Sequence, residues 1–264
     1  MFLIRNHSNM HHYFLDKYAN VNSIIHHLDP RLKIITFISY VLFVILTPPT
    51  EFIKFFLYFS LIFSVILLSK LPLKFIFKKS LVIVPFVLAV ALFIPFLNEG
   101  EIAGSYSYGN LNFAVTYSGL LILFNVLVKS WLSVISMLTL TSTTKFSDLL
   151  KAFEWLKFPN VMLLVISFMY RYIFVIADEA MRLKTAGDAR NFGNLKLKQR
   201  IEIFGNIIAV LFIRSYERAE RVYAAMLSRG FDGNFKTIKE FKFSNADFGF
   251  ATIMGLILIS IFVI

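Results

Sequence analysis

Apolar residues fall into long blocks along this chain, separated by short charged or proline-rich breaks. Ile34 to Leu46, Phe52 to Lys70, Ser80 to Leu97, Phe113 to Leu140 and Phe248 to Ile264 read as five candidate membrane crossings. Asp29-Pro30-Arg31-Leu32-Lys33 opens the first run, with Asp29 placed to cap a helix and Pro30 tolerated in its first turn. Pro48-Pro49 separates the first run from the second. Lys70, Lys74, Lys78 and Lys79 form a basic loop before the third, whereas Asn98 to Asn112 carries Glu99 and Glu101 and neither lysine nor arginine. Because loops rich in Lys and Arg stay on the cytoplasmic side, the lysine loop and the N-terminus are expected inside and residues 98–112 outside. The fourth run is interrupted only by Lys129 and small polar residues, and its length implies tilt or continuation beyond the hydrocarbon.

The pattern changes from Thr141 to Asp247. A helix is expected to start near Ser147, with Asp148 in its first turn, Leu149, Leu150, Phe153 and Leu156 along one side, and Pro159 after it. Val161 to Ala177 is almost wholly apolar, long enough for a short span and equally suited to burial; we place it buried at the membrane interface. Were it a span, Arg190 and Arg229 would lie on opposite sides of the membrane unless Ile201 to Ile213, too short for a comfortable crossing, also crossed. Beyond it the chain becomes densely charged, and Glu217 can reach Arg221 four residues on. The predicted fold is all-α. Residues 1–140 hold the N-terminal segment and four crossings, 141–247 form a cytoplasmic or interfacial domain of amphipathic helices, and 248–264 cross once more.

Composition supports a membrane protein and narrows its chemistry. Hydrophobic residues make up 58% of the 264 positions, and the mean hydropathy of +0.71 exceeds what a soluble domain usually carries. The formal charge of +11 flanks apolar runs or alternates with acids, which fits topology signals, juxtamembrane contact with lipid and a partner surface instead of nucleic acid. With no cysteine, disulfides and thiolate chemistry are excluded. Residues 1 to 30 have no continuous apolar core, so no signal peptide is expected. His7, His11, His12, His26 and His27 cluster near the N-terminus but lack acidic or thiol partners at fixed spacing, and no metal site is assigned. Nucleotide-binding Gly-x-x-x-x-Gly-Lys-Ser/Thr, His-Glu-x-x-His and Gly-x-Ser-x-Gly motifs are all missing, so no catalytic residue is assigned.

Two arginine signatures remain, Asp188-Ala189-Arg190-Asn191-Phe192-Gly193 and Leu227-Ser228-Arg229-Gly230-Phe231-Asp232-Gly233. Each ends an amphipathic run at glycine, where an arginine complements the negative end of the helix dipole. Phe192 and Phe231 add apolar anchors, so the ends are either ordinary caps or docking points for a carboxylate on another protein. Arg171 lies within an apolar stretch and is expected to pair with Asp178, seven residues on, while Asp178 and Glu179 share a face with Arg182.

With these residues in view, the chain resembles the transmembrane coupling subunits of energy-coupling-factor transporters, specifically the cobalt-transport permease subunits. The resemblance covers nearly all of the chain. It is carried by Leu28-Asp29-Pro30-Arg31-Leu32-Lys33, Thr143-Thr144, Tyr170-Arg171-Tyr172-Ile173-Phe174 with Asp178-Glu179-Ala180, Ala189-Arg190 and Ser228-Arg229-Gly230-Phe231. It implies that Arg190 and Arg229 end long cytoplasmic coupling helices and dock in grooves of two ATP-binding subunits. ATP and magnesium would bind those subunits and no cofactor this one. A separate substrate-binding membrane subunit would be the other partner. Cobalt ion is the implied cargo; nickel or a vitamin, or a membrane scaffold that recruits a peripheral protein, are the alternatives. Two positions depart from the usual Ala-Arg-Gly: Asn191, which tolerates a left-handed helix end, and Ser228, which is small.

Overall fold

The structure, a computed structural model, describes residues 18–19, 21–97, 102–108, 111–190, 196–233 and 243–264, the side chains of 96–97 and 102–115 excepted. The chain divides into two compact units, Asp16–Ala152 with Glu240–Ile264, and Phe153–Lys239. In the first, a short turn of helix Ile24–His27 (α1) leads to Pro30–Leu46 (α2), Phe52–Leu68 (α3), Leu73–Leu81 (α4), Val84–Ala91 (α5) and Ile94–Leu97 (α6). Strands Ile102–Tyr108 (β1) and Leu111–Thr116 (β2) precede the long helix Tyr117–Thr143 (α7), and Asn245–Val263 (α11) closes the unit. Phe146–Trp155 (α8) straddles the boundary, and Asn160–Arg190 (α9) and Leu197–Leu227 (α10) make up the second unit. As the sequence predicts, Asp29 caps α2, its carboxylate accepting from the Arg31 N–H, with Pro30 in the first turn.

Two expectations are corrected. Ser80 to Leu97 is not one helix: α4 ends at Leu81 and α5 at Ala91. Those are the residues whose carbonyls would accept from positions 85 and 95, both prolines without an N–H. The stretch read as an external loop instead contains an antiparallel hairpin, with Tyr106 opposite Phe113 and Tyr108 opposite Leu111, so the fold is helical with one small sheet. The hairpin takes the first four residues of the fourth apolar run, and α7 begins at Tyr117.

Within this unit the elements alternate in direction. Lys33 near the start of α2 meets Thr143 at the end of α7, and Lys129 of α7 meets Ile45 and Thr47 at the end of α2, so the pair is antiparallel. The broken α4–α6 stretch also runs against α7: Trp131 donates to Ser80, while Gly119 faces Pro95 so closely that a Cβ there would lie 2.6 Å from the Pro95 Cα. Helix α11 starts beside the start of α2, where Asp29 N–H donates to Asp247 Oδ1 at 2.8 Å. Helices α7 and α11 are long and apolar enough to cross a membrane, and α3 is a shorter apolar helix.

Three lysines in this unit do the same job. The last carbonyls of a helix have no partner within it, and lipid supplies none. Lys33, 1% exposed, donates to Thr143 O at 3.2 Å. Lys129 donates to Ile45 O at 2.9 Å and Thr47 O at 2.7 Å. Lys54 of α3 donates to Phe262 O at 3.0 Å, at the end of α11. Each ammonium also sits at the negative end of its neighbour's dipole. The two N-termini are served by carboxylates: Asp247, 4% exposed, accepts from Ser244 N–H at the start of its own helix as well as from Asp29 N–H. Lys33, Phe37, Tyr40 and Val44 on α2 and Leu132, Ser136, Thr139 and Thr143 on α7 form buried stripes in steps of three and four residues, with Lys33 meeting Thr143 and Tyr40 turned to Tyr58 of α3.

His26 sits beside this polar end. One ring nitrogen bonds Ser23 Oγ at 2.7 Å and the other Tyr18 O at 2.9 Å. Burial holds its imidazole below the ordinary value, Lys33 and His27 push the same way, and the Tyr18 carbonyl opposes them.

Two predictions come from this unit. Lys33→Met and Lys129→Met each leave helix-end carbonyls unpaired and should cost about 1–3 kcal/mol, read as a lower melting temperature in detergent; wild-type melting in both would show the carbonyls satisfied otherwise. Because the folded state holds His26 more weakly protonated than the unfolded chain does, its contribution is complete above the ordinary histidine range, about pH 6.5, and declines as pH falls below it. Melting temperature should therefore drop between about pH 7.5 and about pH 5 by more in wild type than in His26→Gln; equal drops would remove His26 from the effect.

Candidate docking site at two helix ends

Helices α9 and α10 have 31 residues each, about 46 Å at 1.5 Å per residue. Neither helix contains proline, alanine and charged straight-chain residues fill the C-terminal half of each, and Lys196 opens α10 with its N–H donating to Gln199 Oε1 at 3.1 Å. The two pack antiparallel. A Cβ at Gly187 would rest in ordinary contact with Ile203 and Ile207, Glu179 pairs with Arg214, and Leu164 and Val165 share a groove with Met226. In an antiparallel pair the two C-termini point to opposite ends, so Arg190 and Arg229 lie roughly 36 Å apart by helical rise.

Arg190 is the last residue of α9, exposed together with Asp188 and Ala189. Asn191, Phe192 and Gly193, the rest of this signature, lie outside the described residues. The second end is described in full. Gly230 has φ +78°, its N–H donates to Leu227 O at 3.0 Å, and the Phe231 N–H reaches back to Met226 O at 3.1 Å. This is the paired closure of a Schellman end, and Phe231 and Met226 line one groove, giving the apolar contact that accompanies it. Ser228 turns its hydroxyl back to Ala224 O at 3.0 Å. The cap is therefore complete without the arginine, and among the described residues the exposed Arg229 side chain makes no ion pair.

The other sequence-derived residues are arranged differently from expectation. Arg171 is exposed, and among the described residues no ion pair joins it to Asp178. Glu179 is taken by Arg214 across the hairpin, and not by Arg182, which is exposed on its own helix. Sequence spacing within one helix could not find Arg214, because its partner is 35 residues away. The Glu217–Arg221 pair is present at 3.7 Å. The apolar half of α9, expected at the membrane interface, is covered by α10 on one side only and presents Val161, Met162, Val165, Met169 and Ile173 on the other. By length and composition α9 is also a helix able to cross a membrane. Among the described residues no group of three metal-ligating side chains gathers; His7, His11 and His12 lie outside them.

The model of the CbiQ family, described as cobalt transport protein, matches residues 21–240. The chain belongs to that family. The energy-coupling factor transporter transmembrane protein of Limosilactobacillus fermentum is 30% identical over 228 residues, 81% of this chain and 82% of its own length. An uncharacterized protein of Methanocaldococcus jannaschii is 25% identical over 230 residues, 85% of this chain and 77% of its own. A putative fused cobalt transport protein of Methanocorpusculum labreanum is 27% identical over 191 residues, 71% of this chain and 31% of its own length. The chain is thus a transmembrane component of the energy-coupling-factor type.

The geometry of the Arg229 end is testable by itself. A Cβ at position 230 would meet nothing within 4 Å, so only the left-handed backbone resists substitution. Gly230→Val should release the closure, speeding hydrogen exchange of the Phe231 amide about 5- to 30-fold for a cost of about 1–2 kcal/mol. Gly230→Asn should change it little. Unchanged exchange in the valine variant would mean the end is closed by other contacts.

Proposed function

We propose that this protein is the coupling subunit of an energy-coupling-factor importer, joining two ATP-binding subunits to a substrate-binding membrane subunit for cobalt ion uptake. It crosses the cell membrane five times with its N-terminus in the cytoplasm, and the α9–α10 hairpin lies on the cytoplasmic side. Arg190 and Arg229 each enter a groove of one ATP-binding subunit, with Ala189, Asn191 and Phe192 around the first and Ser228, Gly230 and Phe231 around the second. The observation that carries this reading is the pair of exposed arginines at opposite ends of one antiparallel hairpin. Two such tips match two subunits side by side, and a continuous helical rod passes a push at one end to the other. Cobalt as cargo is supported by the family's description and by the name of the fused relative.

In this reading the subunit performs no catalysis. ATP and magnesium bind the partner subunits, whose closure moves the hairpin ends; the hairpin's apolar flanks, exposed along both helices, carry the movement to the substrate-binding subunit.

Arg190→Ala and Arg229→Ala should each weaken retention of the ATP-binding subunits, since losing one side of a buried charged pair costs about 2–5 kcal/mol. That corresponds to a loss in affinity of tens- to thousands-fold. The double variant should lose ATP-dependent cobalt uptake in vesicles while reaching the membrane folded, and lysine should rescue poorly because it lacks the planar fork. Full ATPase retention and full uptake in the double alanine variant would end this reading and leave both arginines as surface residues of their helix ends.

A further inference from the structure

The second unit holds a groove of about 480 Å³ between α9 and α10, within the range of small-molecule sites. It spans Leu164 to Ile176 along α9, roughly 18 Å of helical rise. Its two ends differ in chemistry. Leu164, Met226 and Phe231 make one end entirely apolar, and Arg218 lies toward the other, near Ile176. Among the described residues no carboxylate lines the groove. Arg218 is half-buried, and among the described residues it makes no hydrogen bond or ion pair, while Arg214 and Arg221 on the same helix are paired with Glu179 and Glu217.

We propose that this groove binds one anionic phospholipid, its phosphate on the Arg218 guanidinium and one acyl chain running toward Phe231. An apolar trough ending at an unpaired cation asks for an anion joined to a hydrocarbon tail, and lipid offers that at high local concentration. The guanidinium forks onto phosphate oxygens, which a zwitterionic head already partly neutralises with its own ammonium. The chain's far end would rest on Phe231 and Met226, the pair that closes the helix end bearing Arg229, so an occupied groove stiffens that tip. This site does not depend on the ATPase-docking reading and is measured on the subunit alone.

The test is native mass spectrometry of the purified full-length chain, delipidated and titrated with phosphatidylglycerol or phosphatidylcholine, with folding followed by melting temperature. Wild type should retain one phosphatidylglycerol in preference to phosphatidylcholine. Arg218→Gln should weaken phosphatidylglycerol about fivefold, one surface charge's worth, and Arg218→Lys should keep most of it. Ala219→Trp, which fills the trough, should abolish it, and Lys198→Ala, exposed on the same helix and outside the groove, should leave it unchanged. Equal retention of both lipids, or wild-type retention in Arg218→Gln and Ala219→Trp, would overturn the proposal. So would a folded Ala219→Trp that keeps its lipid but loses a co-expressed membrane subunit, since the trough would then belong to a protein.

Discussion

Every helix that ends in lipid leaves carbonyls that neither its own backbone nor the solvent can satisfy. In the first unit, helix-end carbonyls are met by lysines reaching from neighbouring helices: Lys33 and Lys129 cap each other's helices, and Lys54 caps α11. The reciprocal pair does more than satisfy oxygens. A shift of one turn between α2 and α7 would carry both ammonium groups about 5 Å from their acceptors at once, so the caps hold the register of the seam. Asp247 performs the matching task for the N-termini, tying α11 to the start of α2. Charges that look costly in apolar runs are thus placed where helix dipoles and orphaned backbone groups need them.

The same physics has a different outcome in the α9–α10 hairpin. There a helix end closes on itself: Gly230 takes the left-handed conformation, and Phe231 and Ser228 complete the closure. Among the described residues the cation at that end has no ion-pair partner. A lysine spent on a neighbour's carbonyl builds a fold, whereas an arginine left exposed at a finished end can bind something else. Family membership and this asymmetry point the same way. Antiparallel packing also sends the two signatures to opposite ends of the hairpin.

Much of the local structure was legible beforehand. Asp29-Pro30 announces a helix start because a carboxylate caps free N–H groups and proline lacks one. Glycine after Arg229 marks a helix end because a residue without Cβ turns left-handed at the least cost. Other signals were present and outweighed by hydropathy. Pro85 and Pro95 each remove one helical hydrogen bond, and the helices stop at the residues those bonds would have reached. Gly109-Asn110, between runs of alternating pattern, is a hairpin turn signal, and β1 and β2 flank it.

What the sequence determined by itself is a membrane chain with helix starts, stops and two arginine ends, because those depend on residues a few positions apart. What only the tertiary structure decided is who meets whom. Lys129 needed the end of α2, 82 residues back, Glu179 needed Arg214 on the returning helix, and the separation of Arg190 from Arg229 needed the antiparallel pairing of α9 and α10. Such partners are chosen by packing direction and register, quantities that no local spacing in a one-dimensional string encodes.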